Sequence, residues 1–249
     1  MALDHALATH AGEGEAVLRL YRWEAPTISF GRNEPAQGRY REEEARRRGL
    51  DFVRRPTGGR AVLHHREVTY GVVIPVRAFG GLKRTYETIN EGLLRGLQAL
   101  GVPAEMARSG QGAVVAPVDR GPCFQEPAPG EITVRGRKLV GSAQVRLGGT
   151  VLQHGSIILA GSQEVLRSVR VAAEEDGGAG AASGAAPATV SDVLRRSVSW
   201  WEAADAIEEG CRLAWGGRWT DGEYREEEAA TAERLLDERY GRPEWTWRR

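Results

Sequence analysis

The chain has 249 residues, 41% of them apolar, enough to fill the core of one large domain. Its 34 Lys and Arg are matched by 34 Asp and Glu, so no overall basic field draws nucleic acid or an anionic membrane surface. The opening MALDHALATHAGEGEAVLRL lacks a basic leader followed by an apolar stretch, and no long uncharged apolar run follows, so a soluble, cytoplasmic protein is expected.

Residues 17–23, VLRLYRW, are rich in strand formers and stop at Pro26, and TISFG (27–31) reads as a second short strand. Residues 40–49, YREEEARRRG, carry Glu and Arg at helical spacings before a Gly stop, which predicts a solvated surface helix. LDFVRR is then a strand leading into RRPTGGRAVLHH (54–65). VTYGVVIPV (68–76) is β-branched and almost continuously apolar, as a central strand buried on both faces would be. From Thr85, the residues Ile89, Leu93, Leu97 and Leu100 form one helical stripe that ends at Gly101. Residues 131–159, EITVRGRKLVGSAQVRLGGTVLQHGSIIL, hold three extended runs divided by Arg135-Gly136 and Gly148-Gly149, an antiparallel meander. Residues 174–188, EEDGGAGAASGAAPA, are too poor in large apolar groups to pack and read as a mobile low-complexity loop within a single domain, 1–249. Beyond it, WWEAADAIEEGCRLAWG and EEEAATAERLLDERYG are helical stretches expected to pack on the main body. The mixture predicts an α+β fold with a mixed or antiparallel sheet flanked by helices. GxGxxG and GxxxxGK[ST] are both absent.

Within RRPTGGRAVLHH, Gly58-Gly59 would let the backbone approach a ligand closely, and Arg54, Arg55 and Arg60 offer donors for carboxylate, phosphate or amide oxygens. A hairpin turn whose arginines pair with surface glutamates fits the same residues. His64 and His65 are adjacent and on a strand point to opposite faces, so no metal pair is expected; either lines a pocket or is a partly exposed structural residue. Cys123 and Cys211 show no CxxC or Cys/His clustering, so neither a disulfide framework nor a zinc site is indicated. Cys123 lies in RGPCFQEPAPGE, a loop between Pro122 and Pro127. It is either a small buried hydrophobe or a nucleophile, and the second role needs a cation to favour its thiolate. Lys138, opening the strand LVGSAQV, would supply that cation if the meander folds back under the loop. Cys211 sits in a helical pattern near Ile207 and Trp215 and reads as core. The small residues Gly141, Ser142 and Ala143 weaken one strand, and His154-Gly155-Ser156 interrupts another, so the two either flank a narrow pocket or are β-bulges.

Three segments, RRPTGGRAVLHHREVTYGVVIP, PCFQEPAPGEITVRGRKLVGSAQVR and VLQHGSIIL, resemble the biotin/lipoate protein ligase superfamily, most closely its cysteine-dependent octanoyltransferase branch. The resemblance runs from MALDHAL through the meander, and the ending ERYGRPEWTWRR is similar to that family's C-terminal helix and Trp-containing tail. It departs only near 177–188. It implies a catalytic domain of the biotin/lipoate ligase type, with Cys123 as the acyl-thioester nucleophile and Lys138 as the residue that lowers its pKa. Arg54, Arg55, Thr57, Gly58, Gly59, Arg60, Ala61 and His64 would then wall the acyl pocket. Gly141, Ser142, Ala143 and Gln144 would form the opposing wall, completed by His154, Gly155 and Ser156.

The activity so implied moves octanoyl from octanoyl-acyl carrier protein through Cys123 to a lysine of a lipoyl domain or of glycine-cleavage H protein, in lipoate biosynthesis. It needs no cofactor, metal or ATP, since thioester to amide runs downhill. A lipoate-protein ligase would instead activate the free acid with ATP on the same scaffold. Against it, Arg60 stands where ligases resembling this scaffold usually have another glycine. An amidotransferase between lipoyl-bearing proteins would share Cys123 and Lys138, and a module that keeps the fold without turnover is the reading from another class. The Arg-dense run from Arg39 to Arg60 either receives the acidic carrier protein or is a solvated face.

Overall fold

The computed structural model describes residues 1–107, 130–171 and 186–248. In chain order the elements are α1 (Ala2–His10), β1 (Val17–Tyr21), β2 (Thr27–Phe30), α2 (Glu42–Arg47), β3 (Asp51–Arg54), β4 (Val62–His64), β5 (Glu67–Pro75) and α3 (Leu82–Ala99). There follow β6 (Glu105–Met106), β7 (Ile132–Val134), β8 (Arg137–Lys138), β9 (Val140–Leu147), β10 (Thr150–Ile158), α4 (Glu164–Ser168), α5 (Val190–Leu194) and α6 (Trp200–Trp215). The last are α7 (Glu226–Leu235), a π turn over Leu236–Tyr240, and α8 (Pro243–Thr246).

A four-stranded antiparallel sheet in the order β1-β5-β10-β9 is the centre of the molecule. Strand alternation divides β5 between two faces. Val68, Tyr70, Val72 and Ile74 join Ile89, Leu93 and Leu97 of α3 and Ala203, Ile207 and Cys211 of α6 in the main core. Val73 and Leu152 turn the other way, onto Leu7 and Ala8 of α1. Helices α3 and α6 meet backbone to backbone, because a Cβ on Gly96 would fall 2.5 Å from the Ala206 carbonyl and one on Gly210 would fall 2.2 Å from the Gly96 nitrogen. The α+β expectation holds, as do the central buried strand, the apolar stripe of α3 and the core placement of Cys211.

A second sheet places β2 between β3, parallel, and β4, antiparallel. Its aromatic core is Phe30, Tyr40 and Phe52, closed by Trp247 of the tail, whose ring centre lies 4.8 Å from that of Phe52. Arg54, fully buried at the end of β3, donates to the carbonyls of Gly31 and Glu34 (2.6 and 2.7 Å) and of Trp245, Thr246 and Arg248. One side chain thereby ties the tail to the sheet.

Three features differ from the sequence expectation. Helix α1 was not foreseen, because Asp4 and His5 break its apolar pattern; Asp4 is nonetheless buried. The meander is divided at Leu139: β7 lies between β6 and β8 in a small separate sheet, while β9 and β10 belong to the central one. Most of the low-complexity loop lies outside the described residues, but its last residue, Ala188, is packed. Ala188 is fully buried and donates its N–H to the Lys138 carbonyl at 2.9 Å, so small size fits it to a tight site. Among the described residues no helix is long and apolar enough to cross a membrane.

Candidate active site

A narrow cavity lies where the α1-facing side of the central sheet meets the second sheet. Its empty volume, mouth included, is about 400 Å³. Val62 and the small residues Gly141, Ala143 and Gly155 keep it slender, while Ser29, Arg55, His64, Thr69, His154 and Ser156 bring polar groups to it. The register explains the grouping. His154 stands opposite Ala143 and Ser156 opposite Gly141, so these four share a face, whereas Ser142 pairs with Gly155. Gly155 is required: a Cβ there would fall 2.1 Å from the Gly141 carbonyl and 2.7 Å from the Tyr70 ring.

Two hydrogen-bonded chains hold the polar groups. In the first, Ser29 Oγ lies 2.7 Å from His64 Nε2, and His64 Nδ1 lies 2.7 Å from Glu67 Oε1. Thr69 and Ser156 hydroxyls donate to the same Glu67 oxygen at 2.5 and 2.9 Å. Arg55 Nη1 donates to the Ser29 carbonyl and hydroxyl at 2.9 and 3.1 Å, and Arg55 Nη2 donates to the Gly58 and Arg60 carbonyls. In the second, Thr57 Oγ1 lies 2.6 Å from His154 Nε2, and His154 Nδ1 is 3.7 Å from Asp4 Oδ2, too far for a hydrogen bond. Burial pushes the His154 imidazole below its ordinary pKa against the opposing pull of Asp4, which favours the neutral ring. Asp4 behaves oppositely. Burial alone would raise its carboxyl, but the terminal ammonium, His154 and Arg19 outweigh that and hold it well below the usual carboxylate range.

On the other face of the sheet, Lys138 is buried with its Nζ 2.6 Å from Glu131 Oε1. Nearby, the Tyr70 hydroxyl donates to Ser142 Oγ at 2.6 Å, and Gln153 donates to Tyr70 and Asn90 at 3.1 Å each. Burial pushes the Tyr70 phenol up, so it stays a neutral donor. Asn90 donates to the Gly130 carbonyl at 2.8 Å, and Gly130 and Glu131 are hydrogen-bonded to Ala107. The segment that carries Cys123 joins Ala107 to Gly130; Cys123 itself lies outside the described residues.

Of the residues singled out from sequence, Arg55, His64, Gly141, Ser142, Ala143, His154, Gly155 and Ser156 border the cavity. Thr57 touches it through His154. Arg54 points away into the tail, and Gln144 donates to Gln153 at 3.3 Å on the opposite face. Gly58 and Gly59 do not line it. The Gly59 carbonyl occupies the place a Cβ on Gly31 would take, so this turn closes against Gly31, with Gly59 at φ 90°. Ala61 is core beside Phe30, and the Arg60 carbonyl caps Arg55. His64 is buried while His65 is exposed, as alternation requires. On α2, Arg46 and Arg48 are paired with Glu42 and Glu44, which makes this stretch a mixed-charge surface rather than an open basic patch. Ser29, Glu67, Asp4 and Glu131 were missed. A lone acid at the head of an apolar strand, as Glu67 is, signals a buried polar partner.

A slender cavity with hydrogen-bond donors at its polar end, and a buried ammonium–carboxylate pair across the sheet from it, suit an enzyme that handles a small chain-like acyl group or acid. The comparisons with known proteins agree. The model of the lipoyl protein ligase A/B catalytic domain matches residues 1–212, and the chain belongs to that family. It is 39% identical to octanoyltransferase LipM of Symbiobacterium thermophilum, over all of this chain and 93% of that protein. To octanoyltransferase LipM of Kyrpidia tusciae it is 40% identical, over all of this chain and 94% of that one. Among solved structures, a lipoate-protein ligase A bound with ATP superposes with a TM-score of 0.79 at 22% identity, covering 99% of this chain and 92% of that one. A putative lipoate protein ligase of T. acidophilum with bound lipoic acid gives 0.78 at 21%, covering 99% and 91%. These structural likenesses concern the fold.

Proposed function

We propose that this protein is an octanoyltransferase of lipoate biosynthesis. It takes octanoyl from octanoyl-acyl carrier protein onto Cys123 as a thioester and passes it to a lysine of a lipoyl domain or of glycine-cleavage H protein. The observation that carries this reading is full-length kinship with octanoyltransferases from several bacteria.

The chemistry divides one transfer into two steps. The Cys123 thiolate attacks the carrier thioester, the carrier thiol leaves, and the acceptor amine then displaces the cysteine to give an amide. The Lys138 ammonium, held by Glu131, is the cation that would favour the thiolate and stabilise the tetrahedral oxyanion; one such donor is typically worth about 3 kcal/mol. The slender cavity suits an unbranched acyl chain, with the Ser29–His64–Arg55 end available to polar atoms.

The test is intact-protein mass spectrometry of wild type and Cys123→Ala after mixing with octanoyl-acyl carrier protein, without ATP. An octanoyl adduct on wild type alone, discharged by an apo lipoyl domain, is expected. Absence of an adduct from both, with ATP plus octanoate modifying the lipoyl domain, would make the protein a ligase.

A further inference from the structure

Strand β9 forms one end of the central sheet, and Gly141, Ser142 and Ala143 place it along the narrow cavity. The direction of its backbone groups follows from the hairpin it makes with β10. The two strands are joined by the two-residue turn Gly148-Gly149, with Leu147 opposite Thr150. In such a hairpin the pair next to the turn exchanges both backbone hydrogen bonds, and so does every second pair beyond it. Gly141, Ala143, Val145 and Leu147 therefore turn their N–H and C=O toward β10. The contact at Gly155 agrees, since the Gly141 carbonyl is the atom a Cβ there would strike. Ser142, Gln144 and Arg146 turn theirs outward, and among the described residues no backbone group pairs with them on that side.

An open edge is ordinarily shielded by brevity, by proline, by a bulge or by charge. At the other end of the sheet β1 has five residues, with Arg19 at its middle. Strand β9 has eight, pairs one to one with β10, contains no proline and carries a single charge, Arg146, near its end. Ser142, Ala143, Gln144 and Val145 are partly exposed. The strand is also held from behind, by the bond from the Tyr70 hydroxyl to Ser142 and by that from Gln144 to Gln153. An edge already fixed in extended geometry loses little freedom when another strand joins it.

We infer that the outer edge of β9 receives an extended segment of the acceptor protein as an added strand, which brings the acceptor lysine to the cavity. The inference rests on the transferase reading and names how its acceptor is recognised. Alternation supplies the aim. Gly141 and Ala143 share the cavity face with Ser156 and His154, so a residue of the added strand opposite either of them points to that face as well. It stands one strand spacing further out, about 4.8 Å. Backbone pairing at Ser142, Gln144 and Arg146 gives affinity, and the small side chains at 141 and 143 leave a lysine room to cross them. A second copy of this chain would offer the same edge but no lysine, since Val140–Leu147 contains none.

The test follows single amides by hydrogen exchange in wild type, with and without an excess of apo lipoyl domain. In the free protein Ser142, Gln144 and Arg146 are expected to exchange fast, and Ala143 and Val145 slowly. The lipoyl domain is expected to slow the first three by roughly tenfold or more and to leave the other two unchanged. Side-chain contact alone does not produce that alternation. Gln144→Pro loses only an outward N–H from the backbone, so slow exchange at Ala143 and Val145 should persist, yet its ring obstructs an added strand. Its Michaelis constant for the lipoyl domain should rise roughly tenfold, as loss of paired backbone groups requires. Absent or uniform protection in wild type, or an unchanged constant in Gln144→Pro, would overturn the inference. So would protection that grows with the concentration of this protein alone, which would assign the edge to a second copy. Failure of wild type to form an octanoyl adduct would instead sink the transferase reading, while the exchange pattern would still decide the pairing.

Discussion

The central sheet has two faces built from the same strands, and they solve opposite problems. Toward α3 and α6, β5 presents Val68, Val72 and Ile74 to an apolar layer packed through glycines, broken by the hydrogen-bonded Tyr70, Gln153 and Asn90 and by the Lys138–Glu131 pair. Toward α1 and the second sheet, the alternate residues Thr69 and Gly71 and their partners Ser156 and His154 sit among the buried charges of Asp4 and Glu67 and the partly buried Arg19. The first face supplies stability through burial. The second accepts desolvation of charges to hold donors and acceptors in fixed positions, and a buried ion pair of this kind contributes little to net stability. The lesson is that a strand with period two can separate the two duties residue by residue.

The sharpest way to break the comparison is Gly210→Val. The new side chain collides with backbone of α3, not with a movable side chain, so a loss on the order of 3 kcal/mol is expected, read as a lower denaturant midpoint. On the polar face, Asp4→Ala strands the mostly buried Arg19 and is expected to cost about 3 kcal/mol. Replacing both partners, Asp4→Leu with Arg19→Met, should recover most of that stability. A double variant no better than Asp4→Ala would show that the pair stabilises the fold in its own right.

Acid should distinguish the faces next. The folded-state pKa of His154 is depressed, so its contribution is present above the unfolded value of 6.5 and is lost as pH falls below it. Asp4 is also depressed, and its contribution disappears only as pH falls below the unfolded 3.8. Stability should therefore fall in two stages, and His154→Gln should remove the upper one; urea midpoints at stepped pH measure both. Charge reversal at Arg46 and Arg48 is expected to have the smallest effect, about 0.3–0.5 kcal/mol per exposed helical pair. With carrier protein as the proposed donor, the same variants should change its Michaelis constant little, since Glu42 and Glu44 already occupy these cations; a large rise would restore α2 as a docking face.

Much of this division was legible in the residues. The apolar run of β5 and the stripe of α3 announced the core, and the small residues of β9 and β10 announced a slot beside it. What alternation does to contiguous motifs was harder to read. Gly141 to Gln144 look like one wall in the sequence, yet Gln144 serves the opposite face. In Arg54-Arg55 the second guanidinium reaches the cavity and the first reaches the tail, a distinction between neighbours of like type that only long-range partners make. Asp4 and Glu131 were invisible for the same reason: their partners, Arg19 with His154 and Lys138, identify them only in three dimensions.

The Arg54 clasp has a consequence for how the protein comes into being. Its carbonyl partners at Trp245, Thr246 and Arg248 are 191, 192 and 194 positions further along the chain. A ribosome releases them long after β3, so a nascent chain carries this cation without three of its acceptors until residues 245–248 are made. Contacts of such separation close late and slowly. The second sheet, which provides Ser29, His64 and Arg55 to the cavity, is therefore clasped only after the 245–248 stretch has emerged, and a chain stopped short of it carries those cavity residues on an unclasped sheet.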